Sequence, residues 1–214
     1  MKKLGMAVSL SVLLLLSACS GSGIREDLDG VLNETFDAEE EYRAVQDDLE
    51  EREKKEQQLF EEIMALTQEE QEQVAEQAQE ALDSADERLE FLQTEKESME
   101  SAEESFTEID KVIEEAKEES VKADLEALKA KMQERFAAHD EFTTAYEKLV
   151  ARQKELYALL KDEESKLQLL QEKAAEVNEQ NEQVQLAVTA FNELTQQVND
   201  LKDETMEKLN ESEE

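Results

Sequence analysis

Apolar residues recur at alternating spacings of three and four along nearly the whole chain after residue 23. A first segment carries Ile24, Leu28, Val31, Ala38, Tyr42, Val45, Leu49, Leu59, Ile63 and Leu66. A second sets Ala78, Ala85, Leu92, Met99, Phe106 and Ile113 at strict seven-residue steps. The third and longest runs from Val121 through Leu125, Leu128, Met132, Phe142, Tyr146, Leu149, Leu156, Leu160, Leu167 and Leu170 to Val177, Val184, Phe191, Val198 and Leu209. This period draws one apolar stripe along each helix and leaves the other faces polar. A single helix over 24–212 would be about 280 Å long, so its interruptions decide the fold. Thr67-Gln68-Glu69-Glu70 reads as a capping box. Near Ser120 the seven-residue line slips by one, because Ile113 calls for an apolar residue at 120 and Val121 supplies it. Lys161 to Lys166 is wholly polar, and Asp162 is able to cap. Breaks near 67, 120 and 162 divide residues 24–214, read as a single elongated domain, into about four helices. The expected fold is all-α, with long antiparallel helices in an elongated, coiled-coil-like bundle. A parallel coiled-coil dimer fits the same pattern.

Composition strengthens the helical reading. The 214 residues include no Pro and only 4 Gly, so tight turns are scarce. The acidic load is mostly Glu, which tolerates helix interiors better than Asp does. The net charge of -35 changes the picture of partners. Nucleic acid is excluded as a partner, because its binding needs Lys and Arg to displace counterions. Bare anionic headgroups are repelled as well. The charge serves solubility, with divalent-cation binding or adaptation to a salty or alkaline host as further readings.

The first residues are patterned differently. Lys2 and Lys3 precede the apolar stretch Leu4 to Leu16, and Leu16-Ser17-Ala18-Cys19 follows. A basic start, a short apolar core and small residues before a cut make a signal peptide over 1–18. The stretch is short for a permanent membrane span. Leu16, Ser17 and Ala18 resemble a lipobox, and the Cys19 thiol is the expected nucleophile for a diacylglycerol group. Two acyl chains anchor stably at about 0.8 kcal/mol per buried CH₂. Cys19 is the single cysteine, so no intramolecular disulfide exists. Residues 19–23, the lipidated Cys and Ser20-Gly21-Ser22-Gly23, read as a flexible tether. Cleavage removes Lys2 and Lys3 and takes the net charge from -35 to -37.

Candidate chemistry is sparse. The single histidine, His139, falls on the apolar line between Met132 and Tyr146. It reads as a polar interruption of a helix seam paired with a carboxylate from a neighbouring helix, more than as a base or ligand. There is no Gly-rich phosphate loop, no zinc spacing of Cys and His, and no nucleophile with a base beside it. Carboxylate runs such as Glu39-Glu40-Glu41 and Glu114-Glu115 lack an EF-hand loop, and ligands on one helix do not wrap a cation. No cofactor or catalytic residue is expected. Arg135, Gln153, Asn178 and Asn181 interrupt the seams, either setting register between helices or simply facing water.

Three segments carry a resemblance to a known family. They are Glu53-Lys54-Lys55-Glu56-Gln57-Gln58-Leu59-Phe60, Arg88 with Thr94-Glu95-Lys96-Glu97-Ser98-Met99-Glu100-Ser101, and Lys154-Glu155-Leu156-Tyr157-Ala158-Leu159-Leu160-Lys161. In their order and spacing, together with the lipobox, the chain resembles the YkyA-like cell-wall-binding lipoproteins of Bacillus-type Gram-positive bacteria. The resemblance implies a non-enzymatic role on the outer face of the cell membrane and supplies no catalytic residues. The expected partners are the membrane through lipid on Cys19, and peptidoglycan or another wall polymer bridged by divalent cations, or a wall protein. A second reading is an adaptor or chaperone-like module binding secreted proteins along an apolar groove, with Met64, Met99, Met132 and Met206 as adaptable contacts. A wall-metabolising enzyme is the third, disfavoured by the missing nucleophile, metal cluster and sugar cleft.

Overall fold

The computed structural model describes residues 23–66 and 70–212, leaving residues 1–22, 67–69 and 213–214 outside the description. The described chain is helical almost throughout and has no strand. Helices α1 (Ile24–Ala38) and α2 (Glu40–Ala65) form a first arm, and α3 (Gln71–Phe106) and α4 (Ile109–Glu115) a second. Helices α5 (Glu119–Lys161) and α6 (Leu167–Ser212) are the third and fourth arms. At 1.5 Å per residue, α5 and α6 are each about 65–70 Å long. The position named for the first break, 67, lies outside the described residues.

Each arm packs against the next: α2 on α3, α3 on α5, and α5 on α6, while α1 reaches α3, α4 and α6. The result is an elongated antiparallel bundle. Its interior is a row of apolar clusters rather than one thick core. At the end where the chain enters α1, Leu28, Val31, Phe106, Ile109, Leu125, Leu128, Val198 and Leu209 close one cluster drawn from all four arms. Midway, Val45, Leu49, Ala85, Leu92, Tyr146, Leu149, Val150 and Val184 form a second. Toward the far end the clusters shrink to Leu59, Ala81 and Tyr157, then to Ile63, Val74 and Ala78.

The seven-residue line of the second segment is buried along its whole length, from Ala78 to Ile113. The third line fails at one point. Leu167 is 70% exposed, and no residue of α6 before Gln180 is buried. In this stretch α6 lies on α5 through half-buried Leu170, Ala174 and Val177 and through the ion pairs Lys173–Glu155 and Glu176–Arg152.

Two interruptions within arms were not legible in the apolar pattern. Between α1 and α2 the backbone bends at Glu39. Ser98 of α3 secures the bend: its hydroxyl donates to the Ala38 carbonyl at 2.7 Å and accepts from the Tyr42 N–H at 3.0 Å. A freed carbonyl and an orphan first-turn donor are thus satisfied by one side chain. Between α3 and α4 the chain tightens into 3₁₀-type bonds, Thr107 N–H to Glu104 O and Glu108 N–H to Ser105 O. The α4–α5 and α5–α6 connections are short loops. Ala116 and Glu118 adopt extended ψ values of 123° and 125°. Asp162 accepts the Glu164 N–H on its carboxylate at 3.0 Å, which fixes the α5–α6 turn.

Ser98→Ala removes both partners of the Glu39 bend at once. Loss of a buried hydrogen-bonding group costs about 1–3 kcal/mol, so urea denaturation of this variant should show a midpoint lowered by that energy divided by an unchanged m value.

Candidate functional site

Three layers of polar side chains cross the apolar interior, and each ties different helices together. The first is centred on Arg88 of α3, 1% exposed. Its Nη1 donates to Glu56 of α2 at 2.8 Å and to Gln153 of α5 at 3.0 Å, and its Nε donates to the Tyr146 hydroxyl at 2.8 Å. That hydroxyl donates onward to Glu53 at 2.7 Å, and the Tyr157 hydroxyl donates to Glu56 at 3.3 Å. The guanidinium also lies over the Tyr146 ring, 4.8 Å from its centroid. Burial pushes the Glu56 carboxyl up, against the opposing pull of Arg88.

In the second layer His139 of α5 and Glu95 of α3, each 1% exposed, meet at 2.8 Å. Glu95 also accepts from Gln46 of α2 at 3.1 Å. Tyr42, Phe142 and Phe191 surround the imidazole with tilted or edge-on rings 5.4–6.0 Å away. In the third layer Arg135 of α5 grips Glu39 with both Nη atoms, at 2.6 and 3.1 Å, and donates from Nε to Thr195 of α6 at 3.1 Å. The bidentate geometry suits guanidinium against carboxylate.

These contacts settle the interrupting residues individually. His139 does pair with a carboxylate from a neighbouring helix, and it is sealed from solvent, so no substrate reaches it. Arg135 and Gln153 join helices, whereas Asn178 and Asn181 are exposed. Glu39 is engaged by Arg135 and so is not free for calcium, and among the described residues no group of three or more acids, His or Cys is placed to hold a metal. Of the candidate adaptable methionines, Met99 and Met132 are buried, Met206 packs half-buried against the same cluster, and Met64 is 65% exposed. Cys19 and the lipobox residues Leu16, Ser17 and Ala18 lie outside the described residues. No helix among those described is long and apolar enough to cross a membrane.

Sequence reasoning placed His139 but missed the burial of Glu56 and Arg88 in the first layer and of Glu95 in the second, although a signal was present. Glu56 stands seven residues after Leu49 and seven before Ile63, on the apolar line itself. Arg88 follows Ala85 by three and precedes Leu92 by four, and Glu95 follows Leu92 by three. A charge at such a position must be buried or must break the stripe.

The outer surface offers shallow depressions rather than a cleft. One, of about 320 Å³, lies where the chain enters α1 and is lined by Glu26, Asp27, Glu34, Glu108, Lys111 and Glu115, among others. It has the charge of its surroundings and no converging ligand set.

The described residues form an elongated helical bundle keyed by internal ion pairs, with His139 sealed inside. The chain belongs to the YkyA family, described as putative cell-wall binding lipoprotein, which matches residues 24–208. No curated protein matches the chain. Among solved structures it is similar to a conserved protein of unknown function from Staphylococcus aureus, with a TM-score of 0.73 and 17% identity. That likeness covers 86% of this chain and 91% of the other, and it concerns the fold alone.

Two outcomes follow from the layers. Arg88→Ala strands the Glu56 carboxylate and should cost about 3–5 kcal/mol, whereas the double variant Arg88→Met with Glu56→Leu should recover most of the loss; equilibrium denaturation measures both. The second outcome concerns alkaline pH. Burial, reinforced by the neighbouring carboxylates Glu95, Glu53 and Glu56, raises the phenols of Tyr42, Tyr146 and Tyr157 above their ordinary value near 10. The folded state therefore keeps protons that the unfolded state releases, so this contribution is intact below about pH 10 and is lost as pH rises beyond it. Absorbance near 295 nm should show tyrosinate forming together with loss of helix, not before it.

Proposed function

We propose that this chain is an extracytoplasmic lipoprotein, anchored to the outer face of the cell membrane through lipid on Cys19, that serves as a structural or interaction element at the cell wall. The observation that carries the reading is family membership across residues 24–208. The position of Cys19, five residues before the start of α1 and directly behind an apolar leader, supports the anchor. On this reading the short tether leaves the four-arm end of the bundle near the membrane and carries the narrower end outward.

The charge dictates how contact with the wall is made. Anionic wall polymer and a chain of net charge -35 repel each other. Divalent cations shared between the exposed carboxylates and polymer phosphates remove that repulsion, and this is the mechanism we assign. Carboxylates on helix faces bind such ions loosely and collectively, without a dedicated cage.

The test is cosedimentation of a soluble form beginning at Ile24 with purified wall sacculi, with and without magnesium and with and without teichoic acid. The protein should pellet with teichoic-acid-bearing walls in magnesium and return to the supernatant on chelation. A protein that stays soluble in every condition defeats direct wall binding. In cells, the protein should incorporate labelled palmitate and Cys19→Ala should abolish the labelling; labelling that survives the substitution, or that is absent from the parent, would refute the lipid anchor separately.

A further inference from the structure

The first turns of α6 are held differently from the rest of that helix. From Leu167 to Glu179 none of its side chains is buried, and the first that is, Gln180, donates to the Ala145 carbonyl of α5 at 3.0 Å. Beyond it Val184, Phe191, Val198 and Leu209 are buried in the interior clusters. The stretch before Gln180 rests on α5 through half-buried Leu170, Ala174 and Val177 and through a chain of alternating charges. Lys173 stands between Glu155 of α5, at 2.8 Å, and Glu176 of its own helix, at 2.9 Å, and Glu176 reaches Arg152 of α5 at 3.1 Å. The Lys173 ammonium, hydrogen-bonded to Glu155, holds that carboxyl below its ordinary value.

We propose that Leu167–Glu179 is a strap attached to α5 chiefly by charge, which loosens as ionic strength rises while the remainder of the bundle tightens. The two surfaces carry opposite charge. The strap holds Glu172, Glu176 and Glu179 against Lys173, a net of -2. The length of α5 from Ala145 to Lys161 holds Lys148, Arg152, Lys154 and Lys161 against Glu147 and Glu155, a net of +2. Lys154 and Glu147 pair with Asp86 and Lys96 of α3, and without those two the balance is still +2. A cationic length of helix stands out in a chain of net charge -35.

Salt acts on the two parts of the molecule with opposite sign. Attraction between exposed charges is screened by salt, so the strap loses its hold. Self-repulsion in a strongly acidic chain works against the compact state, and the same salt relieves it. Exposed ion pairs are weak singly and count when several are linked, as Glu155, Lys173, Glu176 and Arg152 are. Opening the strap uncovers no buried side chain of α6, and it stops where Gln180 and Val184 enter the interior. Cations gathered around the chain thereby set how far this strip stands off from α5. The inference does not rest on wall binding, and it holds whether or not the protein pellets with sacculi.

The experiment is amide hydrogen exchange on the purified full-length protein, read along α6 by mass spectrometry. Sodium chloride is set at about 0.01 M and about 1 M, where the Debye length is about 30 Å and about 3 Å. Lys173→Gln cuts both Lys173 pairs and keeps a good helix former. Lys208→Gln changes the net charge equally, but its partner Asp124 lies far from the strap, at the opposite end of α5.

In low salt the strap amides should exchange at least about tenfold faster than those of residues 188–209, as expected of a unit with few buried contacts. In high salt strap exchange should rise at least about threefold, the scale of a few linked surface pairs, while exchange over residues 188–209 holds or slows. Lys173→Gln should open the strap already in low salt and show a smaller salt response than the parent, and Lys208→Gln should match the parent there. Equal protection along α6 overturns the inference, as does strap exchange that salt leaves unchanged or slows. A Lys173→Gln protein with the parent's full salt response, or a Lys208→Gln protein that opens the strap as much, would remove the charge clasp and overturn it too.

Discussion

The guanidinium of Arg88 is the constraint on which the register of the bundle depends. It is surrounded on three sides by groups from different helices: Glu56 of α2, and Tyr146 and Gln153 of α5. An apolar seam built from Leu and Ala tolerates sliding by a heptad, because one apolar layer resembles the next. A buried cation does not. Any slip of α2 or α5 against α3 leaves the charge without partners in a medium where that is costly. The layers at His139–Glu95 and Arg135–Glu39 repeat the device along the axis, and the last of them brings in α6 through Thr195. Such pairs contribute little net stability compared with apolar replacements. What they exclude is the family of shifted packings that a sequence of this composition would otherwise permit.

The fold was legible because its driving pattern is one-dimensional. The Ala78 to Ile113 line specifies a buried stripe, and each of its six members is buried. That pattern says which face turns inward, but not which charged residues go with it. Glu56, Arg88 and Glu95 look like ordinary text of a Glu-rich helix, and their burial depends on partners 32 to 101 residues away. His139 was easier, since it interrupts the stripe and has no other role available. The bend at Glu39 was hidden for a different reason. It is stabilised by Ser98 from another helix, and no local residue near Glu39 announces it. Leu167 is the converse case, an apolar residue on the periodic line that finds no second helix to cover it.

The segments that carry the family resemblance hold Glu53, Glu56, Arg88, Glu95, Ser98 and Tyr157. As isolated words they are low-complexity helical sequence. In the fold they supply the first polar layer apart from Tyr146 and Gln153, half of the second and the support of the bend. These words therefore hold several of the residues that lock the helices together.

The uneven attachment of α6 has a mechanical meaning. At the end where the chain enters α1 it is held by Phe191, Val198 and Leu209 within the largest cluster, whereas from Leu167 to Glu179 it lies on α5 without one buried side chain. Cooperative units with few buried contacts open first. A load applied at the outer tip would peel this strip from its support one turn at a time, at low force, like a zipper opened from its free end. The same pull borne by the other three arms would have to break their ion-pair layers in shear. The molecule thus has a compliant strip on a stiff shaft, and under the proposed anchoring slack between membrane and wall would be taken up by α6.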